Sequence, residues 1–299
     1  MVEVAEATAA RIFELPPDGF DPLSADPQSL RRYGLPRRPD PEREPKLANV
    51  FKRAFSRPWN YTQPELVTDP TINALRAAQR ARGEFTSGDW GGAVVTTAAN
   101  EPPNSAFAQF TVPTVLEFDP SFTEQMIVGF WVGIGGYGNG TLLQAGIGAT
   151  VTPNPDFPWL GSVSYWGWTE WTPAGYVVNN FEVQAGDTVS VLVCAPQPNH
   201  GFVMLGNSRT SQAVSVGISP QPGETANGPS AEWIIEAITP LTPEFTPLTF
   251  FGCVAGDQNS SYGVTGATLL DMPDGSGNDE VKTTIVSSSS VTIQWEAFQ

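Results

Sequence analysis

Histidine occurs once in this 299-residue chain, at His200, and cysteine twice, at Cys194 and Cys253. A single histidine in the turn-like Asn199-His200-Gly201 offers a Ser/His/Asp or Cys/His apparatus only one candidate and leaves a histidine-based zinc site short of ligands. Two cysteines set no disulfide framework and form either one bridge or two buried thiols. No apolar run approaches the ~20 residues that cross a bilayer. The first residues, interrupted by Glu3, Glu6 and Arg11, show no secretory signal, and no membrane partner is expected.

Basic side chains are scarce and unevenly placed. Residues 1–85 hold 13 of the 15 Lys and Arg and 12 of the 31 Asp and Glu, so residues 86–299 keep only Arg209 and Lys282 against 19 acids. A formal net charge of -16 argues against a nucleic-acid partner, which needs a basic footprint. In acid, carboxylates protonate around their reference pKa of ~4, and a body nearly devoid of Lys and Arg then escapes the cationic repulsion of ordinary acid denaturation. Acidity for solubility is the plainer explanation. The near-absence of basic residues favours adaptation to acid.

Charged residues make up only 15% of the chain, which carries 29 Gly and 28 Pro, so helical bundles and coiled coils are excluded. Two regions are predicted. Residues 1–85 form an N-terminal Pro/Arg-rich arm, extended and without a core from Leu15 to Glu44. Two short helices follow, one on Leu47, Val50, Phe51 and Phe55, the other on Ile72, Leu75 and Ala78 after the Asp69-Pro70 cap. Residues 86–299 alternate with period 2 and predict strands near 90–97, 105–112, 126–134, 141–152, 162–172, 187–194, 201–206, 212–218, 230–238, 248–255 and 283–297. The fold class is all-β: an antiparallel two-sheet β-sandwich, a concanavalin-like jelly roll, with an N-terminal extended and helical arm.

Chemistry must come from carboxylates and carboxamides. The glycine-rich run from Gly133 to Gly140 has no following Lys and reads as a hairpin rather than a phosphate cradle. The acidic loop Asp271, Asp274, Asn278, Asp279 and Glu280 departs from calcium-loop spacing and reads as a solvated turn. Glu232 and Glu236 lie in an apolar strand and share a face with Ile234, an expensive placement unless they pair or line a wet cleft. Gln144 is likewise a carboxamide inside an apolar run. In Tyr165-Trp166-Gly167-Trp168-Thr169-Glu170-Trp171, alternation puts Trp166, Trp168 and Glu170 on one face and Tyr165, Thr169 and Trp171 on the other. An aromatic row beside an acid suits an extended peptide or a glycan; it also suits core packing.

Taken in order, Asp89-Trp90-Gly91-Gly92-Ala93-Val94, Phe130-Trp131-Val132-Gly133-Ile134-Gly135-Gly136, Leu143-Gln144-Ala145-Gly146, Trp168-Thr169-Glu170-Trp171-Thr172-Pro173, Val183-Gln184-Ala185-Gly186-Asp187 and Ala231-Glu232-Trp233-Ile234-Ile235-Glu236 resemble the motifs of the glutamic peptidases, the eqolisin family. The resemblance spans roughly residues 87–299. It departs at Asp89, where the family has Asn, and before Glu170, where substrate preference is affected. It implies an acid endopeptidase with Gln144 and Glu232 as the catalytic pair, and a cleft lined by Trp131, Trp168, Glu170 and Trp90. It also implies polypeptide substrates, no cofactor and no metal, a monomer, and secretion despite the missing signal. The N-terminal arm then reads as the prosegment of a zymogen, or as a permanent wrapping arm. The rival reading is a jelly-roll glycoside hydrolase or carbohydrate-binding module. There, Glu232 and Glu236 would be a strand pair ~13 Å apart, beyond the ~5–9.5 Å of glycosidase carboxylates, and would need a further partner.

Overall fold

The computed structural model describes residues 10–82, 88–98, 101–115, 124–138, 141–154, 161–221, 228–256, 260–273 and 279–296. Along the arm run β1 (Ala10–Ile12), α1 (Pro27–Arg32), α2 (Pro45–Phe55), β2 (Asn60–Tyr61), β3 (Leu66–Val67) and α3 (Pro70–Arg82). The body continues with β4 (Trp90–Thr96), β5 (Ser105–Thr111), β6 (Met126–Gly135), β7 (Leu142–Thr152), β8 (Ser162–Trp171), β9 (Ala174–Val178), β10 (Thr188–Gln197), β11 (His200–Asn207), β12 (Gln212–Ile218) and β13 (Ser230–Ala237). It ends with β14 (Leu248–Gly256), β15 (Ser261–Tyr262), β16 (Thr268–Leu270), β17 (Met272–Pro273), β18 (Asp279–Ser287) and β19 (Ser290–Trp295).

Two sheets result. One has the path β1-β12-β11-β10-β5-β14-β19-β18-β17, and the other β16-β4-β13-β6-β7-β8-β9-β3. Pairing is antiparallel apart from the two-residue β2 against β12. The all-β sandwich expected from period-2 alternation is therefore the observed fold. Inward-facing residues such as Phe110, Phe130, Val132, Ile147, Val191, Trp233 and Phe250 form the core between the sheets, close-packed and almost wholly shielded from water.

The sequence expectations need correction in several places, beginning with the short strands β9, β15, β16 and β17, which were not expected. The Leu15–Glu44 segment is not coreless: it contains α1, whose N-cap Asp26 accepts from the backbone N–H of Gln28 and Ser29 with Pro27 in the first turn. Leu30 and Leu35 pack with Phe51 and Phe55 of α2 against Phe107, Leu192 and Phe202 on the outer face of the first sheet. The predicted strand 283–297 is a hairpin, β18 and β19, turning after Ser287. The acidic loop begins with a paired residue: Asp271 accepts from Lys282 Nζ and from the Thr283 backbone N–H, each at 2.7 Å. Asp274 and Asn278 lie outside the described residues.

The arm is stitched to both sheets. β1 and β2 pair with β12, and β3 pairs with β9. The thiols of Cys194 and Cys253 are free. No described helix is long and apolar enough to cross a membrane.

Candidate active site

The outward face of the second sheet carries a second apolar cluster, built from Trp90, Val94, Trp131, Leu142, Trp168, Ile234 and Leu270. Strand alternation sets which polar groups join it. Register puts Glu232 of β13 opposite Gly133 of β6, Gly133 opposite Gln144 of β7, and Gln144 opposite Glu170 of β8. Glu232, Gln144 and Glu170 thus form one row across four strands, with glycine at the position between the first two. Neighbouring strands are ~4.8 Å apart, so the two side chains stand ~10 Å apart at their backbones and face each other over a residue with no side chain. A Cβ on Gly133 would come within 3.3 Å of Glu232 Oε2, 2.8 Å of Leu142 Cδ1 and 2.9 Å of Trp131 Cζ3. Only glycine keeps the gap open.

Glu232 and Gln144 are completely buried. Neither Glu232 oxygen has a hydrogen-bond partner, nor does Gln144 Oε1. Burial pushes the Glu232 carboxyl up to about 8; Ser230 and the Tyr137 backbone lie near enough to offset part of this, without reaching hydrogen-bond geometry. A buried carboxyl and carboxamide with unsatisfied oxygens are costly in a structural role. The Gln144 side-chain amide donates to Glu170 Oε2 at 3.2 Å, which orients the amide and leaves its second N–H available.

Four residues on along β13, Glu236 accepts from the Trp131 indole N–H at 2.9 Å, and Trp131 stands edge to face with Trp90, ring centroids 4.9 Å apart. Sequence reasoning missed the group that completes this cluster. Arg76, from α3 of the arm, is only 5% exposed and its Nη1 lies 2.5 Å from both Glu236 oxygens. Its Nε is 3.4 Å from Glu170 Oε2, and its guanidinium carbon is 4.9 Å from the centroid of the Trp168 ring. Burial disfavours the charged guanidinium, but the charges of Glu236 and Glu170 outweigh it and hold its pKa above the ordinary arginine value. The available signal was Arg76 at i+4 from Ile72, on the inner face of α3.

The predicted site residues Gln144, Glu232, Glu170, Trp131, Trp168 and Trp90 therefore converge on one face. Trp166 shares it, whereas Tyr165 and Trp171 turn into the sandwich core. His200 is exposed on the other sheet, its ring Nδ1 2.9 Å from Oδ1 of neighbouring Asn199. No group of three or more His, Cys, Asp or Glu able to hold a metal occurs among the described residues.

Residues 88–295 match the model of the peptidase A4 family. Among solved structures, a scytalido-glutamic peptidase crystallised with a peptide-based transition-state analogue is similar with a TM-score of 0.56 and 21% identity, over 70% of this chain and 98% of that one. SCP-B, a member of the eqolisin family of peptidases in complex with the tripeptide Ala-Ile-His, is similar at a TM-score of 0.55 and 21% identity, over 70% and 98% of the two chains. No curated protein matches the sequence.

Proposed function

Because the chain belongs to the peptidase A4 family, the glutamic peptidases, and is accordingly a peptide-bond hydrolase, we propose that Gln144 and Glu232 perform the hydrolysis as an acid-working pair. The observation carrying this reading is their placement: buried, with unsatisfied oxygens, on opposite sides of Gly133. A scissile carbonyl and one water fit the role of the third party between them. Ionised Glu232 takes a proton from the water as it attacks the carbonyl carbon, then delivers that proton to the leaving amine, which leaves as a neutral amine. The Gln144 amide donates to the oxyanion formed on the carbonyl oxygen, and its charge does not change with pH. Glu170, bonded to that amide, orients it. Trp131, Trp168 and Trp90 supply the apolar walls.

Histidine is dispensable in this scheme, in keeping with a chain that has one. With the carboxyl pushed up to about 8 in the closed structure, Glu232 is protonated at acid pH, so the base becomes available when water and substrate enter and lower its pKa. The arm provides the closure. Arg76 occupies the same face, ion-paired with Glu236 and Glu170, so residues 1–85 act as a prosegment over the cleft.

Digestion of an unfolded protein at acid pH tests the pair. Wild type cleaves; Glu232→Gln and Gln144→Ala each lose at least about a hundredfold, the scale of removing a general base or an oxyanion donor. Undiminished cleavage by both variants refutes the assignment. The arm is tested separately, by following the mass of the intact protein at acid pH. A chain already active while full length and still closed by Arg76 rules out the prosegment role.

A further inference from the structure

On the outer face of the first sheet, α2 buries Phe51, Ala54 and Phe55 and leaves Asn49, Lys52 and Arg53 exposed. Arg53 stands between two clefts. One, of about 510 Å³, is lined by Arg53, Asn49, Ser261, Thr265, Ser288 and Ser289. The other, of about 380 Å³, is lined by Arg53, Ser56, Arg57, Gln109, Thr188 and Ser208. Local backbone geometry explains what the larger cleft offers. Gly252 adopts φ +66° where the register of β14 against β5 shifts between Phe251 and Val254, a bulge that bends the strand. The turn between β18 and β19 is tied to its neighbours through main-chain groups: the Cys253 N–H donates to the Ser289 carbonyl at 2.9 Å, and the Val264 N–H to the Ser288 carbonyl at 3.0 Å. With those carbonyls used, exposed Ser288 and Thr265 present hydroxyls that meet no partner among the described residues.

Charge is the second observation. The chain has 31 acidic residues, yet among the described residues no Asp or Glu lines either cleft. Arg57 is held in place: its Nη1 donates to the Ser208 carbonyl at 2.9 Å, and its guanidinium carbon is 5.9 Å from the centroid of the Trp59 ring. Arg53 has no carboxylate partner among the described residues, and its Nη1 reaches over Gly252, 3.6 Å from where a Cβ would stand. Two guanidiniums four residues apart, free of carboxylates, suit an oxyanion, to which their fork geometry is matched. The C-terminal end of a helix opposes an anion, so the attraction rests on these two side chains.

We propose that the two clefts form one binding site for a sulfated or phosphorylated sugar, its oxyanion held by Arg53 and Arg57 and its hydroxyls met by Asn49, Thr265, Ser288 and Ser289. A sulfate or phosphate ester fits better than a carboxylate, because a carboxylic acid loses its charge near pH ~4 while such an ester keeps one negative charge. A sugar fits the remainder because each Ser and Thr hydroxyl both donates and accepts, as a sugar hydroxyl does. The site lies away from Gln144 and Glu232, which face out from the other sheet, and uses none of their chemistry. Since the arm and the body each supply part of it, a bound sugar also ties α2 to the first sheet.

Calorimetric titration of the full-length protein at about pH 5 and constant ionic strength, with glucose 6-sulfate, glucose 6-phosphate, glucose and sodium sulfate, tests the site. At least one ester binds, and the tighter of the two identifies the acid group. Glucose does not bind, and free sulfate binds about tenfold more weakly than the better ester, the scale of one or two lost hydroxyl contacts. Arg53→Gln weakens ester binding about tenfold or more while melting as wild type does without ligand. Should that variant melt early, Arg57→Gln takes its place with the same expectation. Absence of binding by both esters, binding undiminished in the variant, or glucose bound as tightly as its esters overturns the site. Sulfate bound as tightly as both esters overturns the sugar assignment. Cleavage of an unfolded protein by Arg53→Gln matches wild type, so a failed titration leaves the peptidase reading standing.

Discussion

With its carboxyl pushed up to about 8 by burial, Glu232 keeps a proton over a range in which the unfolded chain has lost it. The folded state then binds more protons than the unfolded one between the ordinary glutamate pKa and about 8, so stability falls as pH rises through that window. Glu232→Gln removes the titration. Urea unfolding from about pH 4 to pH 8 is expected to show wild type losing on the order of a few kcal/mol relative to the variant; parallel curves would mean that the carboxyl is hydrated in the closed protein. Gly133 has a sharper role than its size suggests. Gly133→Ala puts a methyl group 3.3 Å from Glu232 Oε2 and against Leu142 and Trp131, and is expected to cost about 1–3 kcal/mol and most of the activity, read from melting and cleavage of the same preparation. Gln144 and Glu232 were legible as polar residues inside apolar strands, where their cost demands a reason. Arg76 was not: its partners Glu170 and Glu236 come from β8 and β13, far along the chain, and nothing local in α3 records their charge.

α3 runs for 13 residues with Arg76 as its buried anchor. Removing one member of a buried charge cluster leaves the others uncompensated, typically at a cost of about 3–5 kcal/mol. Arg76→Ala is therefore expected to loosen the arm from the cleft at neutral pH, seen as faster cutting by a neutral protease near α3 and as a changed fluorescence of Trp168, which now lies beneath the guanidinium. Unchanged cutting and emission would mean that the strand pairings of β1, β2 and β3 hold the arm without it. The longer strands were legible because one face is buried and alternation is strict. β18 and β19 merged into one predicted strand because their turn, in a run of serines from Ser287 to Ser290, lacks the Gly, Pro or Asn that usually marks one. β9 was missed because it begins directly after Pro173 and contains Gly175, and α1 because its cap sits in a Pro- and Arg-rich stretch that reads as extended.

Charge distribution acts on the molecule as a whole. At neutral pH the body's acids repel each other with only Arg209 and Lys282 of its own in opposition, besides Arg76 of the arm, and Arg209 is already engaged with Asp187 and Glu182. Raising salt from ~0.05 to ~0.5 M shortens the Debye length several-fold and is expected to raise the melting temperature at pH 7, where the body's acids are ionised. No salt response at pH 7 would contradict this electrostatic account. The sandwich and the position of its acidic face followed from patterning, whereas the route of the arm across both sheets depends on pairings between distant residues. That route has a further consequence. β12 and β9 would be outer strands of their sheets without β1 and β3, so detaching the arm bares backbone donors and acceptors along two borders at once. A body freed of its arm is thus more prone to join others of its kind edge to edge, so that in the proposed prosegment role the arm guards solubility as well as the cleft.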